Sequence, residues 1–454
     1  MKAVLAGTAR AISGALAAPE ATAAFNIIGA MVVGLGEVAP LVLSRVSSLS
    51  ALDLSDLDAS VLLLAEAPRD GAEARTVLTR AADAQVSVRV VEGDGTRKLS
   101  LDDCIGRHLG AVDWAHIRSI IEGKRILITG GGGSIGSELA RRIASLAPAR
   151  LTLLDCSEHN LYRIGLELRS ATMALADVRD AASLRRWFAR EAPELVFHTA
   201  AMKQVPMVEM FPSEGALTNV AGLRNVAEAA HGVGAELIFV STDKAAQPSG
   251  VMGASKRLGE LYCQALDRRG PRRAIPVRLG NVLGSAGSVS PLFEEQLAAG
   301  GPLTVTDPDV TRYFLSIPQA ADSLLRAAAV ALGHEQRGAT LVLEMGEALQ
   351  VVDLARAVIR LEGLRPDDDV KIVFTGLRPG EKLHEQLIAF DEAGDLSLCE
   401  GVTAAISEAR AFSELSDVMD RITLMASQGA DAAVAEALFA AVASSRVTER
   451  AIAV

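Results

Sequence analysis

Apolar residues in this chain fall into short runs, separated by longer stretches in which they recur every three or four positions. The runs at 2–6, 26–33, 61–65 and 86–91 have the length and composition of strands, and 72–84 has the period of a helix. A second series follows at 126–129, 151–154, 195–201, 237–240 and 276–282, with helical stretches between, one of them over 137–145. Continuous apolar strands alternating with helices specify a parallel sheet covered on both faces. The expected fold class is therefore α/β. A doubly wound parallel sheet is assigned to 124–280, a smaller C-terminal lobe with some return to the core sheet to 281–400, and a small degenerate α/β domain to 1–98. Residues 92–98 are polar and read as a linker; 99–107 and a helix near 114–122 continue it, so that 99–123 joins the two domains. From 407 onward the chain is rich in alanine, and 401–454 is expected to be a helical, structural segment.

Two apolar stretches resemble targeting segments without fitting the part. Arg10 interrupts the first, 1–18, and the second, 25–44, contains Glu37 and Pro40 while barely reaching the ~20 residues that span a bilayer. A strand and turn fits the second better, and no transmembrane helix is expected.

The strongest chemical signal follows the run at 126–129. There Gly130, Gly133 and Gly136 occur at the spacing of a tight strand-to-helix turn, in which the backbone approaches a pyrophosphate. The phosphates then rest on the helix N-terminus, at Ser134 and Ile135. The next strand ends in Asp155, nineteen residues beyond Gly136, where an acid hydrogen-bonds the adenosine ribose and repels an additional phosphate. Asp177 and Val178 follow a further apolar run at a place that borders the adenine, and the small residues Ala200 and Ala201 leave room for the dinucleotide. Turn, acid, spacing and strand order together indicate a Rossmann-type sheet that binds NAD. The N-terminal domain has Gly7 and Gly14 but no such loop, which suits a structural or regulatory role.

Beyond the run at 237–240 come Ser241, Thr242, Asp243 and Lys244, at a strand end where ligands of open α/β sheets bind. A helix then opens with Met252 and, one turn on, Lys256. Composition narrows the ligand. A formal charge of −11 excludes general nucleic-acid binding, so an anionic ligand must meet a local basic cluster. Lys203, Arg312, Arg378 and Lys382 stand in such settings, where arginine's planar fork matches a diphosphate. Four dispersed cysteines and seven histidines show no metal spacing, and reduced cytoplasmic thiols are the default.

The spacing of Met252 and Lys256 is that of the Tyr-x-x-x-Lys pair in short-chain dehydrogenase/reductases, with methionine in the tyrosine's place. Taken with the glycine turn and the segments at 205–206, 241–257, 278–293, 311–314 and 378–385, the chain resembles the extended group of those enzymes. Within it, the match is to the polysaccharide-biosynthesis nucleotide-sugar 4,6-dehydratases, and to the UDP-N-acetylglucosamine branch that retains the C5 configuration and carries this methionine. The resemblance covers most of 99–390. It implies oxidation at sugar C4, loss of water across C5–C6 and return of hydride to C6. It assigns Asp243 as acid, Lys244 as base, Lys256 to the nicotinamide ribose, and Lys203, Asn281, Arg312, Arg378, Glu381 and Lys382 to a UDP-linked N-acetylhexosamine. Because adjacent opposite charges oppose both roles, Asp243 and Lys244 are expected to point apart or to act once substrate has expelled water. Thr242 is expected to orient a water or to pass on the C4 hydroxyl proton. Long members of this branch carry membrane helices before a degenerate nucleotide-fold domain; this sequence is expected to keep something like that domain without the membrane helices. Helices such as 253–267 commonly pair in the superfamily, which implies a homo-oligomer. The rival readings are a nucleotide-sugar 4-epimerase and a non-catalytic NAD-binding scaffold protein.

Overall fold

A computed structural model describes residues 1–34, 38, 42–55, 58–106 and 112–443. Glu37, Pro40, Arg107 and the last part of the 401–454 segment lie outside the described residues. The chain divides into two compact units. One comprises Met1–His108, Val289–Phe314 and Glu347–Gly376, and the other Leu109–Ser288, Leu315–Gly346 and Leu377–Val454.

The first unit is built on six strands: β1 (Lys2–Thr8), β2 (Asn26–Val33), β3 (Val42–Val46), β4 (Val61–Leu64), β5 (Ser87–Glu92) and β6 (Gly95–Lys98). Their order is β3-β2-β1-β4-β5-β6, all parallel except the last pair. Alternation along β1 feeds two cores. Val4 and Ala6 face Val77, Leu78 and Ala357, whereas Ala3 and Leu5 face Ile12. Ala357 belongs to the helix Val351–Leu361, so a segment from far along the chain completes this core. The stretch 92–98 is not a linker. Glu92 pairs with Gly95 across a two-residue turn in which Gly93 takes φ +59°, and Arg89 Nε donates to Thr96 Oγ1 at 2.8 Å. Polarity concealed an edge hairpin that buries Val88 and Val90 and leaves the Gly95–Lys98 strand half-buried.

The second unit carries a nine-stranded sheet. It contains β7 (Arg125–Thr129), β8 (Arg150–Asp155), β9 (Thr172–Leu175), β10 (Leu195–His198), β11 (Glu236–Thr242) and β12 (Ala274–Leu279). These lie in the order β9-β8-β7-β10-β11-β12, all parallel, and the parallel strand Thr340–Leu343 extends them. Two antiparallel strands, Val402–Ile406 and Ala393–Cys399, finish that edge. The order reverses direction between β7 and β10, and a crevice opens above such a switch point at the carboxyl ends of the strands.

Three helices set up that crevice: α1 (Ser134–Ala144), α2 (Gly222–Val233) and α3 (Val251–Arg269). α1 begins three residues earlier than its apolar period suggests, because Gly133 caps it directly after the turn. α3 is buried on nearly all sides. The sheet covers one side, and the C-terminal helices Phe412–Ser427 and Asp431–Val442 add Leu415, Met419, Ile422, Val434 and Leu438 to the same core. Tyr262 of α3 meets Phe412 with ring centroids 5.2 Å apart. The C-terminal helices thus cover part of α3 from within the chain.

Candidate active site

The glycine turn is fixed by lack of space. Gly130 takes φ +67°, and a Cβ there would lie 2.7 Å from Ala200 N and 2.9 Å from Ala200 Cα. At Gly136 a Cβ would fall 2.1 Å from Gly130 O. Gly133 N donates to Gly130 O at 3.0 Å, closing the turn, and no side chain caps the N-terminus of α1. The first-turn amides at Ser134 and Ile135 thus have no side-chain cap. Asp155, at the end of β8, accepts from Gly132 N at 3.0 Å through one oxygen and from Ser157 N at 2.9 Å through the other. Its carboxylate is tethered beside the turn and retains lone pairs for further donors. Asp177 is exposed at the edge, while Val178 turns its side chain into the core. Ala200 and Ala201 follow β10 in a loop, since the strand stops at His198 rather than running through 201.

Next to this cradle, Lys256 reaches back under β11. Its ammonium donates to Val240 O at 2.8 Å and lies 4.5 Å from the centre of the Phe239 ring. Burial draws its pKa down to about 8, against the opposing charge of Glu260. Met252, one turn before, is 4% exposed and packs in the apolar core. Two residues that sequence reasoning passed over hold this helix in place. Ser255 Oγ donates to Met252 O and accepts from Asn219 Nδ2 at 3.0 Å. Asn219 also makes both backbone bonds of Met202, accepting from its N–H and donating to its carbonyl, each at 2.9 Å. It sits in the π-turn Leu217–Ala221, a local widening of the kind that recurs at functional sites. Neither periodicity nor composition reports such a turn.

The reactive end of β11 gathers most of the polar residues expected there. Asp243 is fully buried, and Thr242 Oγ1 donates to its Oδ1 at 2.8 Å. Lys244 Nζ donates to that same oxygen at 3.0 Å and to Asn281 Oδ1 at 2.9 Å. Asp243 and Lys244 therefore point at each other and form an ion pair, so of the two expectations the structure departs from divergence and leaves action once substrate has expelled water. Glu385, absent from the expected set, stands 3.6 Å from Lys244 Nζ with its side chain 3% exposed. Its signal lay three residues beyond the Arg-Pro-Gly-Glu-Lys stretch that supplies Arg378, Glu381 and Lys382.

That stretch is fastened to the start of α3. Ser249 Oγ donates to Gly380 O at 3.0 Å, and Lys382 Nζ donates to Gln247 O. Burial lowers the Lys382 pKa, with Glu385 and Asp243 opposing. Glu381 closes its own loop onto the Arg378 N–H at 3.2 Å, leaving Arg378 exposed. Lys203 reaches Ser285 Oγ at 3.0 Å, and Ser134 Oγ accepts from Ala286 N at 3.1 Å, so the 285–286 loop meets both the cradle and the post-β10 loop. Arg312 belongs to the first unit, where its guanidinium donates to Thr311 O at 2.7 Å. No group of metal-ligating side chains occurs among the described residues, and none of their helices is long and apolar enough to cross a membrane.

Comparison with known proteins agrees with this architecture. Capsular polysaccharide biosynthesis protein CapD of Staphylococcus aureus is 41% identical over 311 residues, covering 66% of this chain and 51% of that protein. The chain thus spans about half the length of the first curated relatives it matches. A UDP-glucose 4-epimerase of Rickettsia akari is 35% identical, over 59% of this chain and 79% of the epimerase. Among solved structures, Pen from Bacillus thuringiensis superposes with a TM-score of 0.57 at 28% identity, over 64% of this chain and 89% of Pen. The family model for "Polysaccharide biosynthesis protein" matches residues 126–405, more than half of the chain. A doubly wound sheet, a glycine cradle at its switch point and this match together place the chain in the polysaccharide biosynthesis protein family, within the extended short-chain dehydrogenase/reductases.

Proposed function

We propose that the chain is an NAD-dependent nucleotide-sugar 4,6-dehydratase, acting on UDP-N-acetylglucosamine in the cytoplasm with retention at C5, for surface polysaccharide synthesis. The observation that carries this reading is the Asp243–Lys244 pair at the mouth of the crevice, with Met252 and Lys256 behind it. An epimerase has no need of a base and acid for C5 and C6, and a scaffold protein has no need of a half-buried ion pair in its crevice.

The cradle fits a dinucleotide. A Cβ at Gly130 or Gly136 would fill it, uncapped α1 amides face it, and the Asp155 carboxylate is tethered beside it. Gly130, Gly133, Ser134, Ile135 and Gly136 would hold the pyrophosphate, Asp155 the adenosine ribose, Asp177 and the Val178 backbone the adenine edge, and Lys256 the nicotinamide ribose. Bound NAD would supply the hydride acceptor and donor that make the reaction net redox-neutral. The protein's own share is proton management. Lys244 takes the C5 proton and Asp243 attends the departing C6 hydroxyl. Thr242 already donates to Asp243, so its oxygen can accept from the C4 hydroxyl and pass that proton along. Lys256, a cation with its pKa lowered to about 8, favours loss of a nearby hydroxyl proton. Lys203, Asn281, Arg312, Arg378, Glu381 and Lys382 are assigned to the nucleotide sugar.

The Rickettsia relative keeps one alternative in play, a 4-epimerase. Incubation of the purified protein with UDP-N-acetylglucosamine and NAD separates the two. Mass spectrometry should show loss of one water and proton NMR a new C6 methyl group, both falling by at least about 100-fold in Lys244→Met. An unchanged mass with inverted C4 would establish the epimerase instead.

A further inference from the structure

An ammonium has three protons to donate, and three acceptors face Lys244: Asp243 Oδ1, Asn281 Oδ1 and, in ion-pair contact, Glu385 Oε1. To serve as a base, Lys244 must first give one of those protons away. An amide oxygen such as that of Asn281 is too weakly basic to keep it. Two carboxylates remain, and they are not equivalent. Asp243 Oδ1 accepts from both the Thr242 hydroxyl at 2.8 Å and the ammonium at 3.0 Å, so the lone pairs of that oxygen are already engaged. Glu385 approaches the ammonium only to 3.6 Å, beyond hydrogen-bond reach. Asp243 Oδ2 and Glu385 Oε2 are both buried without a hydrogen-bond partner. The comparison therefore turns on the other oxygen, where Asp243 has two hydrogen bonds and Glu385, among the described residues, has the 3.6 Å ion-pair contact to Lys244. Lys382 is a further charge set among these groups.

We propose that Glu385 receives the Lys244 proton when a substrate seals this cluster from water. An N–H bond on Nζ breaks, its electron pair stays on nitrogen, and an O–H bond forms on Glu385. An ammonium and a carboxylate become an amine and a carboxylic acid, the arrangement that dry surroundings prefer over a poorly bonded ion pair. Lys244 then takes the C5 proton as a neutral amine. The cluster now holds two protons more than at rest, one from the C4 hydroxyl by way of Thr242 and one from C5; one goes with the departing hydroxyl as water, the other returns to C5 when hydride returns to C6, and the resting charges are restored. Glu385 acts through Lys244 and is in this sense a positioning residue for the proton. The inference rests on the dehydratase reading.

Infrared difference spectra of the NAD-loaded full chain test it. The probe is UDP-N-acetyl-6-deoxyglucosamine, which lacks the hydroxyl to be expelled. Its addition should produce the C=O stretch of a neutral carboxyl in the wild type and in Asp243→Asn, and no such band in Glu385→Gln. A band that survives Glu385→Gln or vanishes with Asp243→Asn would overturn the assignment, as would a wild type that binds the probe and shows none. In turnover of UDP-N-acetylglucosamine, Glu385→Gln should lower kcat about 100-fold with KM little changed, and Glu385→Asp should recover part of it. A wild type that dehydrates the sugar while Glu385→Gln matches it at every pH sinks the inference alone. A wild type that neither binds the probe nor dehydrates the sugar sinks the dehydratase reading and the inference with it.

Discussion

His198 is a titratable ring held in a place where a charge cannot be solvated. It is 1% exposed, its Nδ1 lies 2.6 Å from Thr129 Oγ1, and it stacks on Phe239 at 5.8 Å. Burial takes its pKa from the usual 6.5 down to about 3, and the charge of Lys256 adds to the effect. The folded state thus favours the neutral ring. Its contribution is fully present above pH 6.5 and is lost as the pH falls from there toward 3, because the unfolded chain binds the proton first. At pH 5 the loss is about 2 kcal/mol, at 1.36 kcal/mol per pH unit. Denaturant unfolding at pH 7 and pH 5 should show that increment in the wild type and lack it in His198→Asn; equal losses in both would remove His198 from the balance. Single residues were legible in the sequence when their meaning was local. Gly130, Gly136 and Asp155 are read from spacing because one turn fixes all three. Asn219 and Glu385 were not, because their partners, Met202 and Ser255 for one and Lys244 for the other, lie 17 to 36 and 141 positions away (385 − 244 = 141).

Between α3, β12 and the 385–392 stretch lies an ionic knot that no pattern announced. Arg278 is fully buried, with Nε 2.8 Å and Nη2 2.6 Å from the two oxygens of Glu260, and with Nη1 and Nη2 2.6 and 2.7 Å from those of Glu392. Arg257 joins both acids, and Ser241 Oγ donates to Glu260 at 2.7 Å. Two cations balance two anions, which is what allows all four to be buried. Burial alone would raise the Glu392 pKa, yet hydrogen bonds and charge from Arg278, then the charge of Arg257, bring it down to about 2. The knot fastens the stretch carrying Glu385 to the helix carrying Lys256. Arg278→Leu leaves two buried carboxylates short of a partner and should cost about 3–5 kcal/mol in urea unfolding; a loss under about 1 kcal/mol would mean that the knot holds nothing together. From sequence, residues 276–282 read as an apolar strand, and Arg278 within it was visible only as an exception.

At the scale of the whole molecule, strand order and the reversal at β7 follow from strands and helices that the apolar pattern already showed. What the pattern lacked was long-range assembly. Residues 289–314 and 347–376 share a compact unit with 1–108, and nothing in their composition announces it. The C-terminal helices were read as structural, but their placement on α3 depends on Phe412, Leu415, Met419 and Leu438 meeting a surface more than 140 positions earlier (412 − 269 = 143). A chain ending at 411 would bare that apolar face. It should self-associate in light scattering and bind a hydrophobic dye, whereas a shortened chain that stays dispersed would show the helices to be dispensable.

The chain therefore supplies much of the packing of α3 from its own later residues. Its thermal midpoint should hold steady on dilution, whereas the shortened chain should melt at temperatures that climb with concentration. In this protein the long helix behind the active site is covered by a late stretch of the same polypeptide, so its order depends on that stretch having already been made.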